Sequence, residues 1–237
     1  MKTVLHKAAD RGAANHGWLN AKHSFSFAGF YNPDKVHFGA LRVLNDDIIA
    51  GGGGFPTHPH DNMEIVTIPL KGALQHKDST GGEGIIEAGD VQIMSAGTGV
   101  RHSEFNASAT EAVNLFQCWV FPKVENIQPR YDQRKFELAD REGKWQVVVS
   151  PIEADKALWI NQDARFLLTH IKAGHTQAYS NAFAGNGVYI MVIKGRVTIN
   201  GTELNDRDAL GVWEADSFDI TANTDAELLA IEVPMFK

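Results

Sequence analysis

Two stretches of this chain, "IVTIPLKGALQHKD" at residues 65–78 and "YIMVIKGRVTIN" at 189–200, share one pattern of apolar strand, Lys-Gly turn and second strand. Each is followed by an Asp-containing turn and another apolar strand, "AGDVQIM" and "RDALGVW". Self-similarity of this kind restricts the chain to folds in which one supersecondary unit is built twice. Further strand-like runs surround the repeats: "HSFSFAGF", "GALRVLN", "NLFQCWVF", "WQVVVS", "RFLLTHI" and "AELLAIEV". Gly, Asn, Asp and Pro punctuate them, and long helical periodicity is scarce, which predicts an all-β fold of sandwiches or small barrels. Two β-barrel units are expected, 1–130 and 131–237, with a strand able to cross between them. The link is expected in the polar segment 122–144, which contains Pro122 and Pro129.

The chain carries 22 Lys and Arg against 29 Asp and Glu, a formal charge of -7, and no basic block stands out. Direct nucleic-acid binding is therefore not expected. The start "MKTVLHKAADRG" lacks the apolar core of a secretory signal, and no run approaches the roughly 18 apolar residues of a membrane span. A cytoplasmic protein without a membrane segment is expected. The single Cys118, inside the apolar run "LFQCWVF", reads as a small buried hydrophobe.

Chemistry concentrates in two short segments. His58 and His60 in "FPTHPHDNMEIV" stand at i and i+2, as do His102 and Glu104 in "SAGTGVRHSEFN". On a strand this spacing places both side chains on one face, so the pairs could face each other across a barrel. Three imidazole nitrogens and one carboxylate suit a divalent first-row transition ion, with Fe, Mn, Co, Ni, Cu and Zn all compatible. Four such ligands on an ion that accepts six leave two positions for chemistry. One ion per chain is expected. Laying Lys71-Gly72 on Lys194-Gly195 carries His58 and His60 onto Asn181 and Phe183, and laying Asp90 on Asp208 carries His102 and Glu104 onto Ile220 and Ala222. His170 and His175 fall before the second motif in that register.

"GGGFPTHPHDNMEIVTIPLKG" resembles the first cupin motif and "GDVQIMSAGTGVRHSEFN" the second. Together with "HGWLNAKHSFSFAGFYNP" and "QPRYDQRKF", these segments resemble the pirin family, its bacterial quercetinase-like branch included. The resemblance is strong over residues 11–135 and loose beyond. It implies a bicupin of two jelly-roll-like β-barrels with one metal, iron by first expectation, in the N-terminal barrel. It also implies a small aromatic substrate, a flavonol such as quercetin, cleaved with O2 and release of CO. In many cupins the motif-one glutamate, here Glu64, is a ligand; in pirins it is the glutamate after the motif-two histidine, here Glu104. Glu104 is the expected ligand, and either Glu104 or Glu64 the general base. Some pirin relatives imply a second class, a metal- or redox-sensing regulator acting through protein partners, and a cupin enzyme with a different natural substrate is the third alternative.

The remaining candidates have structural readings. His16 and His23 are expected in packing or hydrogen bonding, and His76 in "LQHKD" is expected to face solvent. The Gly51–Gly54 run is a turn leading to His58, not a phosphate loop, because no Lys-Ser/Thr follows it. Phe38, Met63, Met94 and Phe116 fit either a cavity wall beside the metal or core packing.

Overall fold

The computed structural model describes residues 1–236. Among them run twenty-one strands and three 3-10 turns, with no α-helix, so the fold is all-β. Among the described residues no helix is long and apolar enough to cross a membrane. Every ladder between named strands is antiparallel, and the strands form four sheets.

A seven-stranded sheet and a four-stranded sheet enclose the N-terminal barrel. The larger runs in the order Arg130–Lys135, Asp90–Ser95, Glu64–Lys71, Val113–Val120, Leu41–Ile49, Leu19–His23 and Gly12–Asn15. The smaller runs Gly54–His60, Val100–Asn106, Ala73–Asp78 and Glu83–Glu87. The C-terminal barrel repeats this plan with a six-stranded sheet and a four-stranded one. The chain is thus a bicupin. The Lys-Gly turns are the hairpin corners of the repeat: Gly72 has φ +78 and Gly195 φ +94, and a Cβ on Gly195 would sit 2.2 Å from the Asp225 carbonyl oxygen. Glycine alone suits that corner.

Continuous apolar runs, rather than alternating ones, arise because the two large sheets are buried on both faces. In Asn186–Lys194, Val188, Ile190 and Val192 point into the C-terminal barrel, while Tyr189 and Met191 point out of it. The outward set meets Val66, Ile68, Phe116, Cys118 and Val120 from the N-terminal large sheet in one core cluster shared by both barrels. Phe38 and Phe116 belong to this shared core, not to a cavity wall. Met63 and Met94 pack with Ile65, Ala96 and Val100 inside the first barrel. Burial pushes the Cys118 thiol far up, as its reading as an inert hydrophobe implies.

The sheets interleave at the ends of the first half. Lys2–His6 pairs with Ala209–Trp213, as the outer strand of the C-terminal large sheet. Arg130–Lys135, within the expected link, pairs with Asp90–Ser95 as the outer strand of the N-terminal large sheet. "HSFSFAGF" is not a strand. Its first residue ends Leu19–His23, and the remainder turns at Ala28 (φ 50), with Phe27 and Phe30 bridged across the turn. Its aromatic residues serve different interiors: Phe25 joins the shared core and Phe27 lines the first barrel's cavity.

Candidate metal centre

The inner face of the small N-terminal sheet positions the chemistry. Val100–Asn106 lies between Gly54–His60 and Ala73–Asp78, with His102 opposite His58 on one side and opposite Asp78 on the other. Alternation buries Val100, His102, Glu104 and Asn106 while Arg101 and Phe105 face out. A register shift between His102 and Glu104 against Gly54–His60 marks a bulge, a device that re-aims side chains near sites.

The three histidines converge. Ring centroids lie 4.4 Å apart for His58 and His102, 4.9 Å for His60 and His102, and 5.0 Å for His58 and His60. One nitrogen of each falls within 4.8 Å of one from each of the others. His58 Nδ1 lies 2.9 Å from the Pro56 carbonyl oxygen, so Nδ1–H donates and Nε2 keeps its lone pair for a ligand. His102 Nε2 and Glu104 Oε1 are buried without a hydrogen-bond partner. Buried polar atoms of this kind are rarely left unpaired, and lone pairs oriented for an ion account for both. The residues present fit a divalent metal.

Glu104 forms a contiguous group with His102 and His76. Its other oxygen, Oε2, accepts 2.8 Å from Gln117 Nε2, and Gln117 Oε1 accepts 3.1 Å from Trp119 Nε1. That chain fixes which way the amide faces. Burial raises the Glu104 carboxyl to about 7, against the Gln117 hydrogen bond that favours the anion. Burial, then the charge of His58, lowers His60 to about 4; burial, then His58 and His60, lowers His102 to about 2. These two imidazoles are neutral, ligand-ready bases at neutral pH.

Glu64 stands elsewhere. A turn at Asp61–Met63, with Asn62 at φ 41, separates it from His58 and His60 and starts a new strand. Its side chain lies on the same side of that strand as Val66 and Ile68, toward the C-terminal barrel. There Oε2 accepts 2.8 Å from Ser95 Oγ and 3.1 Å from the Asn161 backbone N–H.

His76 does not face solvent. It is fully buried, opposite Glu104 on Ala73–Asp78, and lies 3.0 Å from Asp78 Oδ2. His23 is a hydrogen-bonding residue, with Nδ1 2.9 Å from Asn45 Oδ1. A cavity of about 300 Å³ adjoins the histidines. Phe27, Phe55 and Trp119 give it aromatic walls; Asn45, Asp47 and His23 give it a polar side. Asp47 Oδ1 and His23 Nε2 are buried and unpartnered, and burial, then the charges of Asp46 and Glu104, raises Asp47 to about 7. Sequence reading missed Asp47, Gln117 and Trp119 as cavity residues. The one signal for them was period-2 spacing along "LNDD" and "FQCW", where Asn45 and Asp47, and Gln117 and Trp119, share a face.

In the C-terminal barrel, Ile220 and Ala222 pack in an apolar interior with Tyr179, Val197 and Leu204. Asn181 Nδ2 donates to the Asn186 and Ala215 carbonyl oxygens.

The affinity of the site carries a pH signature. Below about pH 7 the metal-free Glu104 holds a proton that an ion has to displace, so its contribution weakens binding as pH falls through that range. At pH 6, calorimetric titration with zinc in buffers of different ionisation enthalpy is expected to show one proton fewer displaced by Glu104→Gln than by the unmodified protein. Glu104→Gln is also expected to weaken binding more than Glu64→Gln. An unchanged proton count, or the reverse ranking, removes Glu104 from the ligand set.

The family profile described as Pirin matches residues 5–120, and that described as the quercetinase C-terminal cupin domain matches 147–233. The quercetin 2,3-dioxygenase of Escherichia coli K12 is 45% identical over 230 residues, covering 97% of this chain and 98% of that protein. The crystal structure of YhhW from Escherichia coli superposes with a TM-score of 0.94 at 43% identity, covering 99% of each chain. The structure of the bacterial pirin YhhW in complex with nickel(II) gives a TM-score of 0.93 at 42% identity, covering 99% of this chain and 100% of that one.

Proposed function

The chain belongs to the pirin family, and on that premise we propose that it is a metal-dependent dioxygenase that cleaves a flavonol such as quercetin with O2 and releases CO. The observation that carries this reading is one cavity lined both by His58, His60 and Glu104 and by the aromatic walls Phe27, Phe55 and Trp119. A volume of about 300 Å³ lies at the small end of ligand sites, and flat walls favour a flat aromatic guest.

His58, His60 and His102 would hold the ion through ring nitrogens and Glu104 through Oε1. A bound divalent ion supplies Lewis acidity that makes a phenolic hydroxyl easier to ionise. The ion we propose is iron(II), one of those a set of three nitrogens and one oxygen accepts, with nickel as the rival that the solved relative holds. Trp119 and Phe27, whose rings meet edge-on at 5.4 Å, shape the slot and exclude water from the reacting face. Asn45, His23 Nε2 and Asp47 Oδ1 orient substrate hydroxyls by hydrogen bonds. Of the two carboxylates expected as general base, Glu104 faces the cavity and Glu64 does not line it. Once loosened from the ion, Glu104 would have Oε1 free to take the flavonol hydroxyl proton and return it. Asp47, on the same cavity, is a second group able to do so.

Protein reconstituted with iron(II) or nickel(II) and given quercetin under isotopically labelled O2 is expected to place both labelled atoms in the ring-cleaved product and to release CO. Metal-replete protein that leaves a panel of flavonols untouched would sink the dioxygenase reading. It would favour a metal-state sensor acting through protein partners.

A further inference from the structure

The reading of His102 as a ligand leaves its second nitrogen to be explained. His102 Nδ1 lies 3.5 Å from His76 Nδ1, and His76 Nε2 lies 3.0 Å from Asp78 Oδ2. His76 and the Asp78 side chain are both fully buried. His76 also stacks on Tyr131, with ring centroids 4.6 Å apart and planes inclined by 24°. Asp78 is held in turn: its Oδ1 accepts from the Thr80 backbone N–H at 2.7 Å, from Thr80 Oγ1 at 2.7 Å and from the Gly82 N–H at 3.0 Å.

From this geometry we propose that Asp78 and His76 form a buried hydrogen-bond relay that sets the tautomer of His102 and thereby makes its Nε2 a metal ligand. The logic is one of hydrogen counting. Asp78 Oδ2 can only accept, so His76 carries its hydrogen on Nε2 and presents a lone pair at Nδ1. Two Nδ1 atoms that face each other need one hydrogen between them, so His102 Nδ1 supplies it. His102 Nε2, the buried atom without a partner, is then a bare lone pair. His76 and Asp78 are positioning residues in this scheme, and His76 acts on the ion only through His102. The relay reaches the surface turn at Thr80, so a solvent-side anchor fixes a group in the barrel interior.

The scheme makes an unusual demand on Asp78→Asn. Three donors converge on the Oδ1 position, so the amide oxygen is drawn there and the NH2 is left facing His76 Nε2. The amide then donates, His76 carries its hydrogen on Nδ1, and His102 is driven to the Nε2–H form with a hydrogen pointing into the site. A change of one oxygen to nitrogen, two residues from His76, would invert both rings.

The relay rests on the metal reading of His102 but is tested apart from it by nitrogen NMR of histidine-labelled, metal-free protein. His102 is expected in the Nδ1–H form in the unmodified chain and in the Nε2–H form in Asp78→Asn. Zinc affinity, measured by competition, is expected to fall about 10–100-fold in Asp78→Asn and in His76→Phe, the range typical of lost outer-shell partners. His76→Asn, whose amide oxygen can accept where Nδ1 does, should recover most of it. An Nε2–H His102 in the unmodified protein overturns the relay, as does unchanged zinc affinity in Asp78→Asn. A His76→Phe protein that is folded yet takes up no zinc at saturation would make His76 a ligand instead, and also overturns it. If the unmodified protein itself binds no zinc, the metal reading fails while the tautomer measurement still decides the relay.

Discussion

His102→Ala is expected to purify without stoichiometric metal and to lose flavonol cleavage, while remaining a folded β protein. His102 is 2% exposed, and its ring centroid lies within 5 Å of both other histidines. Its loss removes a donor from the centre of the cluster. The cost in affinity should exceed the 10–100-fold typical of an outer partner, because a coordinating lone pair disappears outright. His58→Ala and His60→Ala should behave alike in metal content. The fold should survive because most of the apolar packing does not depend on the histidines. Leu19, Ile49, Leu74 and Leu115 form one interior cluster, Ile65, Met94 and Val100 another, and the shared core lies on the far side of the large sheet. Metal analysis after dialysis, with circular dichroism and a melting curve on the same sample, checks both halves of the expectation. A full equivalent of metal on any of the three variants sinks the assignment.

Phe116→Ala should damage stability rather than chemistry. Phe116 is fully buried on Val113–Val120, a strand hydrogen-bonded on both sides, and sits in the cluster where the two large sheets meet. The Arg207 guanidinium, from the C-terminal half, lies 5.2 Å from the ring centroid. Arg207 also pairs with Asp46 at 2.9 Å and donates to Asn114 Oδ1 at 3.1 Å. Truncating a buried Phe costs about 3–5 kcal/mol, which for a chain of this size lowers the melting temperature by roughly 10 °C. Because the cavity would open in a core that both barrels share, the two halves should still melt in one transition. A loss under about 1 kcal/mol, or separate melting of the halves, would show that the shared cluster does not couple them.

Much of this architecture was legible in the sequence, and the failures have specific causes. The Lys-Gly repeat announced two units because a positive-φ corner demands glycine at both places. Runs such as "VYIMVIKG" announced strands, and their lack of alternation reports that both faces are covered, the signature of sheets packed back to back. "HSFSFAGF" alternates like a strand yet turns, since Phe25 and Phe27 enter different apolar interiors. Spacing rules for His58, His60, His102 and Glu104 brought the three imidazoles together because each pair lies within one strand. Glu64 lies off the cluster because a turn at Asp61–Met63 separates its strand from that of His58 and His60, and parity does not carry across a turn. His76 and Asp78 are a third pair at i and i+2, obscured by the exposed Lys77 between them and by the polar look of "LQHKD". Asp47 escaped because a carboxylate in the middle of a strand reads as a surface residue until the cavity behind it is known.

Lys2–His6 completes the C-terminal sheet by pairing with Ala209–Trp213. Lys2–His6 therefore has no partner until about two hundred further residues have been made. At roughly 5–20 residues per second, that is a wait on the order of ten to forty seconds. Throughout it the N-terminal barrel can assemble from its own strands, whereas the second barrel lacks an edge that only Lys2–His6 can supply. Closing that sheet thus joins two segments whose synthesis is far apart in time.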